Sequence, residues 1–509
     1  MNLKNLLFSL VTLAILTQCT TNETPGHSVI TQKQVIAGEL PDPSIIEVDG
    51  TYYATGSSND WAPIYPIYKS TDLENWSFLT YVFQEAPAWT INSYWAPELY
   101  YDNGTFYCYY TARRTDGTSC IGVASTKNIE KGFTDHGVVV DWGSEAIDAF
   151  VYKEGDTKYI TWKAYGLNPD KPIQILGAPL SADGLSLNGE AFEVITADTS
   201  LWEEGGSEGQ CILKKGDYLY LLYSGNACCG GLCDYQVGVA RAKSMKGPWE
   251  KYESNPILKG NETWKCPGHG TALQTNDSWY YLYHSYHEEG FPYLGRTVLL
   301  SELLWDEDSQ WPYFEVDSTN IIKDMTATNF SDDFEGDQLN PLWRFNVSSS
   351  YSATLENGKL QLSADSAQAN AIIFLGVNPD VADFTISTTV EKQENILKGL
   401  CIYATPGSSI GAGIRGDSII LWSVENGNFQ MLNSVVADVN EPLSLKAKVV
   451  EGHLAQFSYH DSAGNWQLIN EEEVNGKQLA WWSWGIKAGV FYQGTEGAAT
   501  FDRFSVEYE

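Results

Sequence analysis

Residues 147–163 read IDAFVYKEGDTKYITWK. One run of bulky residues enters Gly155-Asp156, and a second run, carrying Tyr159 and Trp162, leaves it. β-Favouring residues on both sides of such a pair predict a hairpin. Four other stretches share the layout: PDPSIIEVDGTYYATGS (41–57), WAPELYYDNGTFYCYYT (95–111), SEGQCILKKGDYLYLLYS (207–224) and PGHGTALQTNDSWYYLYHS (267–285). Ten positions before Tyr52, Phe106, Lys158, Tyr218 and Trp279, each just past its turn, stand Asp42, Ala96, Asp148, Glu208 and His269. The units recur about every 50–60 residues, which suits the blades of a β-propeller. Equivalent positions in a propeller surround its central channel. Five blades over 37–325 would therefore bring three carboxylates and an imidazole together from distant parts of the chain.

The chain of 509 residues is long enough for two or three domains. Its 65 acidic and 31 basic residues leave a net charge of −34, which repels phosphate backbones and argues against a nucleic-acid partner. Aromatic rings are abundant, but they pack propeller blades as readily as they stack on sugars, so composition does not separate the two uses. Near residue 329 the pattern changes. KLQLSA, ADFTISTTVE, SIILWSV and LSLKAKVV alternate in polarity between turn residues. Residues 329–509 thus predict a β-sandwich of jelly-roll or lectin-like type. The fold class is all-β, a five-bladed propeller followed by a sandwich.

Lys4 precedes an apolar stretch from Leu6 to Leu16, which ends in Leu16-Thr17-Gln18-Cys19. The stretch is too short to span a bilayer and has the form of an export signal. A Cys directly after it resembles a bacterial lipoprotein site. Residues 1–19 are then the signal, Cys19 the acylated residue and 20–36 a tether. The expected location is the periplasm or the cell surface, with the lipid as the sole membrane contact. Export permits disulfides. Cys108 and Cys120 fall on two strands of one predicted hairpin and are expected to pair. Cys228-Cys229-Gly230-Gly231-Leu232-Cys233 lacks a second Cys-x-x-Cys or His pair, so a disulfide-braced loop is expected rather than zinc.

Cleaving a glycosidic bond takes two carboxyl groups, one ionised to act on water or carbon and one protonated to serve the leaving oxygen. A third carboxylate nearby can raise the pKa of the acid. An isolated Asp in a turn is ordinarily just solvated, but three acids in register meet this chemical need.

Pro41-Asp42-Pro43-Ser44, Trp95-Ala96-Pro97-Glu98, Ile147-Asp148-Ala149-Phe150 and Gly268-His269-Gly270 resemble motifs of glycoside hydrolase family 43. So do Tyr281-Leu282-Tyr283-His284, and Gly295-Arg296 ahead of LLWDEDSQWP. This family comprises five-bladed arabinofuranosidases and xylosidases, and the likeness runs in register over roughly 37–320. It departs at Glu208-Gly209-Gln210, where the family usually has Glu-Gly-Pro.

The resemblance implies Asp42 as general base, Glu208 as general acid and Asp148 as the residue tuning that acid, with inversion at the anomeric carbon. It implies that Trp95 stacks on the sugar, that Arg296 binds it, and that His269 lies by the channel and helps hold a structural calcium ion through water. Calcium prefers oxygen ligands, so the imidazole would not be a typical direct partner. No cofactor is required. Phe150 and Trp61 are candidate pocket residues because they adjoin the motifs. FSDDFEGDQLNPLW (330–343) resembles the start of the lectin-like module that follows the propeller in xylosidase-type members. Such modules pack on the propeller, and a loop from them can close the pocket, but the sequence assigns no loop to this task.

The expected activity is exo-hydrolysis of terminal pentose from arabinose- or xylose-containing glycans. α-L-Arabinofuranosidase comes first, then β-xylosidase, then β-galactofuranosidase. A retaining fructosidase would carry an Arg-Asp-Pro-like triplet where this chain has Ile147-Asp148-Ala149-Phe150. A glycan-binding surface lipoprotein without activity would lack one of the carboxylates, and none is missing.

Overall fold

The computed structural model describes residues 29–276, 278–316, 327–364, 371–391, 395–436 and 442–508. The signal segment, Cys19 and most of the tether lie outside the described residues. Five four-stranded antiparallel sheets form the first domain. Their innermost strands adjoin one another in a closed ring: Ser44–Val48, Thr90–Asp102, Ala146–Glu154, Glu208–Lys215 and Trp264–Thr275. The second strand of a hairpin can read as a nearly continuous apolar run, as in Tyr218–Gly225, because neighbouring blades cover both of its faces. Tyr109, Trp162, Tyr220 and Tyr283 are fully buried in this way.

The ring is closed from the front of the chain. Lys33–Ile36, expected as tether, pairs antiparallel with Thr297–Glu302 and forms the outer strand of the fifth blade. Beyond that blade, Leu304–Trp305 and Pro312–Tyr313 pair as a separate small hairpin. Two of the motifs meet between the first and second blades. The Ser44 hydroxyl donates to Glu98 at 2.6 Å, and burial still pushes the Glu98 carboxyl up to about 8.

The expected Cys108–Cys120 disulfide is absent. The strands pair Cys108 with Ala124 and Ala112 with Cys120, so the two thiols sit four rungs apart, and both are free and buried. The cysteines that do pair are Cys228 with Cys229 and Cys233 with Cys266.

The second domain packs a nine-stranded sheet on a six-stranded one around an apolar core, and a second buried cluster, which includes Phe374, Tyr403 and Trp422, gathers around Trp61. It is joined to the propeller by strand pairing of Phe345–Asn346 with Trp61–Ala62. That pairing turns Trp61 away from the channel. The indole is 1% exposed and packs edge-on to Phe374, Tyr403 and Trp484, so Trp61 is a junction residue and does not line the pocket. Glu39 and Lys487 form a buried ion pair across the junction at 2.6 Å. Lys487→Met would leave the Glu39 carboxylate buried without a counter-charge, held by the Gly485 N–H. It is expected to destabilise the protein by about 3–5 kcal/mol, read as a fall in the thermal unfolding midpoint. An unchanged midpoint would mean the pair does not hold the domains.

Candidate active site

In each blade the innermost strand turns out of regular pairing near the channel. The residues at this turn are Asp42 (φ +55°), Ala96 (+36°), Asp148 (+59°), Gly209 (+58°) and His269 (+41°). In the second to fifth blades it falls at a register break, as between Ile147 and Phe150 or Glu208 and Cys211. Such bulges re-aim side chains, and a non-glycine residue in the left-handed region costs about 1–3 kcal/mol. The ten-residue count is therefore one position off in the fourth blade. Gly209 occupies the turn there, and Glu208 leaves from the residue before it. Gly209 is required in that place, because a Cβ would come within 2.7 Å of the His269 ring.

These strained residues are held by a second repeat. Fifteen positions after each of them stand Ser57, Thr111, Lys163, Ser224 and His284. Each reaches the turn of the next blade around the ring. Ser57 Oγ accepts from Ala96 N at 2.6 Å, Thr111 Oγ1 from Asp148 N at 3.1 Å and Ser224 Oγ from His269 N at 2.9 Å. His284 Nδ1 accepts from Asp42 N at 2.9 Å, closing the circle. Burial, with Arg296 nearby, pushes the His284 imidazole down to about 4, which leaves that nitrogen free to accept. Lys163 is the exception. Its Nζ donates to the side chain of Glu208 at 2.6 Å.

Asp42, Asp148 and Glu208 line one cleft of about 530 Å³, with Trp95, Arg296 and His269. Arg296 directs its guanidinium at Asp42 (Nη1 to Oδ1, 2.9 Å), and Ser57 donates to the other oxygen at 2.5 Å. Burial by itself would raise the Asp42 carboxyl, but Arg296, His269 and His284 outweigh it and hold the group well below the ordinary range. Arg296 is thus first a partner of Asp42, and it is almost fully buried. His269 Nδ1 lies 3.4 Å from Asp42 and 3.8 Å from Asp148.

Asp148 and Glu208 are shifted in opposite directions. Burial, with the Glu208 charge, pushes Asp148 up to about 7 against the pull of His269. Burial also acts to raise Glu208, but the Lys163 ammonium overcomes it and lowers that carboxyl. The sequence expectation placed the proton on Glu208. In this geometry it rests on Asp148, because Lys163 and the Tyr235 hydroxyl, at 2.9 Å, both donate to Glu208. Gln210, the departure from the family pattern, donates through its side-chain amide to the carbonyl of Asp148, and so ties the two strands together.

Phe150 does not reach the cleft. It follows the bulge and packs between the third and fourth blades with Cys211, Ile212 and Tyr223. Among the described residues no three His, Cys, Asp or Glu side chains are placed to hold a metal. Beside His269 stand carboxylate oxygens of Asp42, already paired with the Arg296 cation, at 3.4 Å and of Asp148 at 3.8 Å.

The cleft also draws on residues that the motifs did not mark. Trp482 and Ser483 come from the second domain, and the Trp482 ring lies edge-on to Trp95 at 6.2 Å. The Arg113 guanidinium stands 5.5 Å over Trp95. The fifteen-residue repeat is a signal that could have found Ser57, Lys163 and His284. Nothing in the sequence points to Trp482 or Tyr235.

The model for "Glycosyl hydrolases family 43" matches residues 31–312, and that for "Beta xylosidase C-terminal Concanavalin A-like domain" matches 331–507. The chain is 26% identical over 402 residues to the non-reducing end α-L-arabinofuranosidase BoGH43B of Bacteroides ovatus, covering 73% of each protein. It is 26% identical over 325 residues to a xylan 1,3-β-xylosidase of a Vibrio species. That match covers 57% of this chain and 58% of the relative, less than two thirds of its length. The crystal structure of a xylan β-1,4-xylosidase from Bacillus halodurans superposes with a TM-score of 0.79 at 20% identity, over 94% of this chain and all of the other, and shares the fold.

Proposed function

The chain belongs to glycosyl hydrolases family 43, and from that premise we propose an exo-acting, inverting hydrolase that removes terminal pentose from plant-type glycans, α-L-arabinofuranosyl first. The observation that carries the reading is the unequal treatment of three carboxyls in one cleft. Asp42 is kept ionised, while Asp148 and Glu208 retain a proton between them. Asp42 takes the proton of a water as its oxygen attacks the anomeric carbon. Glu208, re-protonated from the shared pair, gives a proton to the departing oxygen. Asp148 stores that proton and, once it has passed it to Glu208, raises the acid by its own negative charge.

The loop bearing Trp482 stands over one side of the cleft, which supports removal of end residues rather than internal cleavage. The name of the Bacteroides relative supports arabinofuranose, and those of the Vibrio and Bacillus relatives support β-xylose as the second reading. Acylation at Cys19, with export to the cell surface or periplasm, belongs to the same proposal and rests on residues 4–19. Initial rates on 4-nitrophenyl α-L-arabinofuranoside and β-D-xylopyranoside test the reading. Fast release from the first alone is expected. Release from the second alone would replace the sugar, and release from neither, with natural oligosaccharides also inert, would overturn the activity.

A further inference from the structure

Cys228 and Cys229, neighbours in sequence, are bonded to each other, and both line the cleft. The bond closes a small ring through the peptide link between the two residues, and the sulfur–methylene edge of that ring is apolar and polarisable. It lies in the loop between Tyr218–Gly225 and Gln236–Ala242, in the same blade as Glu208.

Both ends of this loop are fixed close to the acid. Tyr235 donates to Glu208, and Asn226 N donates to the carbonyl of Glu203 at 2.9 Å. The middle is fixed as well. Cys233 is bonded to Cys266 on the strand that carries His269, and Gly230 N donates to the Tyr286 hydroxyl at 3.1 Å. Gly230 also lies against the second domain, where a Cβ would stand 3.2 Å from the Trp482 carbonyl oxygen. The disulfide is therefore a rigid wall between the blade of the acid and the loop that closes the cleft.

We propose that the Cys228–Cys229 ring is the contact surface for the leaving sugar, packing against the C–H face of the ring that departs with the protonated oxygen. The inference rests on the glycosidase reading above. Glu208 must lie at the glycosidic oxygen, so the ring attached to that oxygen falls on the Glu208 side of the cleft. Lys163 and Asn226 line the cleft with Glu208 and suit hydroxyls, and the disulfide adds an apolar surface beside them, in a lining that also includes Leu167, Ile173 and Ala227. A sugar ring, with hydroxyls at its rim and C–H groups on its face, matches this division.

The test is the double variant Cys228→Ser/Cys229→Ser, assayed on a pentose oligosaccharide and on the glycosyl fluoride of the same pentose, which has no leaving ring. On the oligosaccharide kcat/KM is expected to fall about ten-fold, the size of a lost small apolar contact, mostly through KM. On the fluoride it is expected to change less than about two-fold, which also reports that the variant is folded. Equal losses on both substrates would assign the disulfide a merely structural role and overturn the proposal. No loss on either would overturn it too. If the unaltered protein hydrolyses neither substrate, the glycosidase reading fails and this inference falls with it.

Discussion

Glu208→Gln is expected to lower kcat on oligosaccharides by about 10²–10⁴-fold, the usual contribution of a positioned proton donor. KM should move by only a few-fold, because the amide keeps the shape of the side chain. The loss should shrink on 4-nitrophenyl glycosides, whose leaving oxygen needs little protonation. A uniform loss on both substrates would count against Glu208 as the acid. The same geometry sets the pH dependence. Asp148 is pushed up to about 7, so above that value the Asp148–Glu208 pair holds no proton to donate, and activity falls as pH rises. Lys163 lowers both carboxyls. Lys163→Met should therefore move this alkaline limb to higher pH, and a limb that stays in place would refute the role given to Lys163. The raised Asp148 also bears on stability. Its contribution is full below the unfolded value of about 4 and is lost as pH rises to about 7.

Asp42→Asn is expected to reduce kcat by a similar 10²–10⁴-fold on every substrate, good leaving group or poor, since water must still be activated. This lack of leaving-group dependence separates it from the Glu208 variant. Wild-type turnover in the Asp42 variant would remove the base from the mechanism. A second effect follows from burial. Arg296 would lose its carboxylate partner inside the protein, an arrangement that costs about 3–5 kcal/mol. Because the Asp42 carboxyl is held well below its ordinary range, its stabilising contribution is present above the unfolded pKa of about 4 and is lost only as pH falls further. The stability gap between wild type and variant should accordingly narrow in strong acid, as urea unfolding at neutral and low pH would measure.

The five hairpins, their period and the convergence of Asp42, Asp148, Glu208 and His269 on one place were all legible in the order of residues. The order could show this much because a β-turn and its flanking strands are local, and a propeller repeats them with fixed geometry. It also held a second period, fifteen residues on, in which Ser57, Thr111, Lys163, Ser224 and His284 brace the next blade. A ten-residue count taken from the turns could not show that the fourth blade is offset by one, since the register break at Glu208 and Cys211 is a property of strand pairing. The remainder depends on contacts between distant segments. Lys33–Ile36 closes the fifth blade because the ends of a ring must meet, which no local pattern records. Cys108 and Cys120 stay free because register sets them four rungs apart, and Cys233 finds Cys266 because two blades adjoin. Trp61 and Phe150 sit beside the motifs in sequence yet face the domain junction and the space between blades. Trp482, 186 residues beyond the last propeller motif at Arg296, reaches the cleft because the second domain packs over its mouth. The protonation of the acid belongs to this second group too, for it depends on the distance from Lys163 to Glu208, and that distance is set by the packing of one blade against the next.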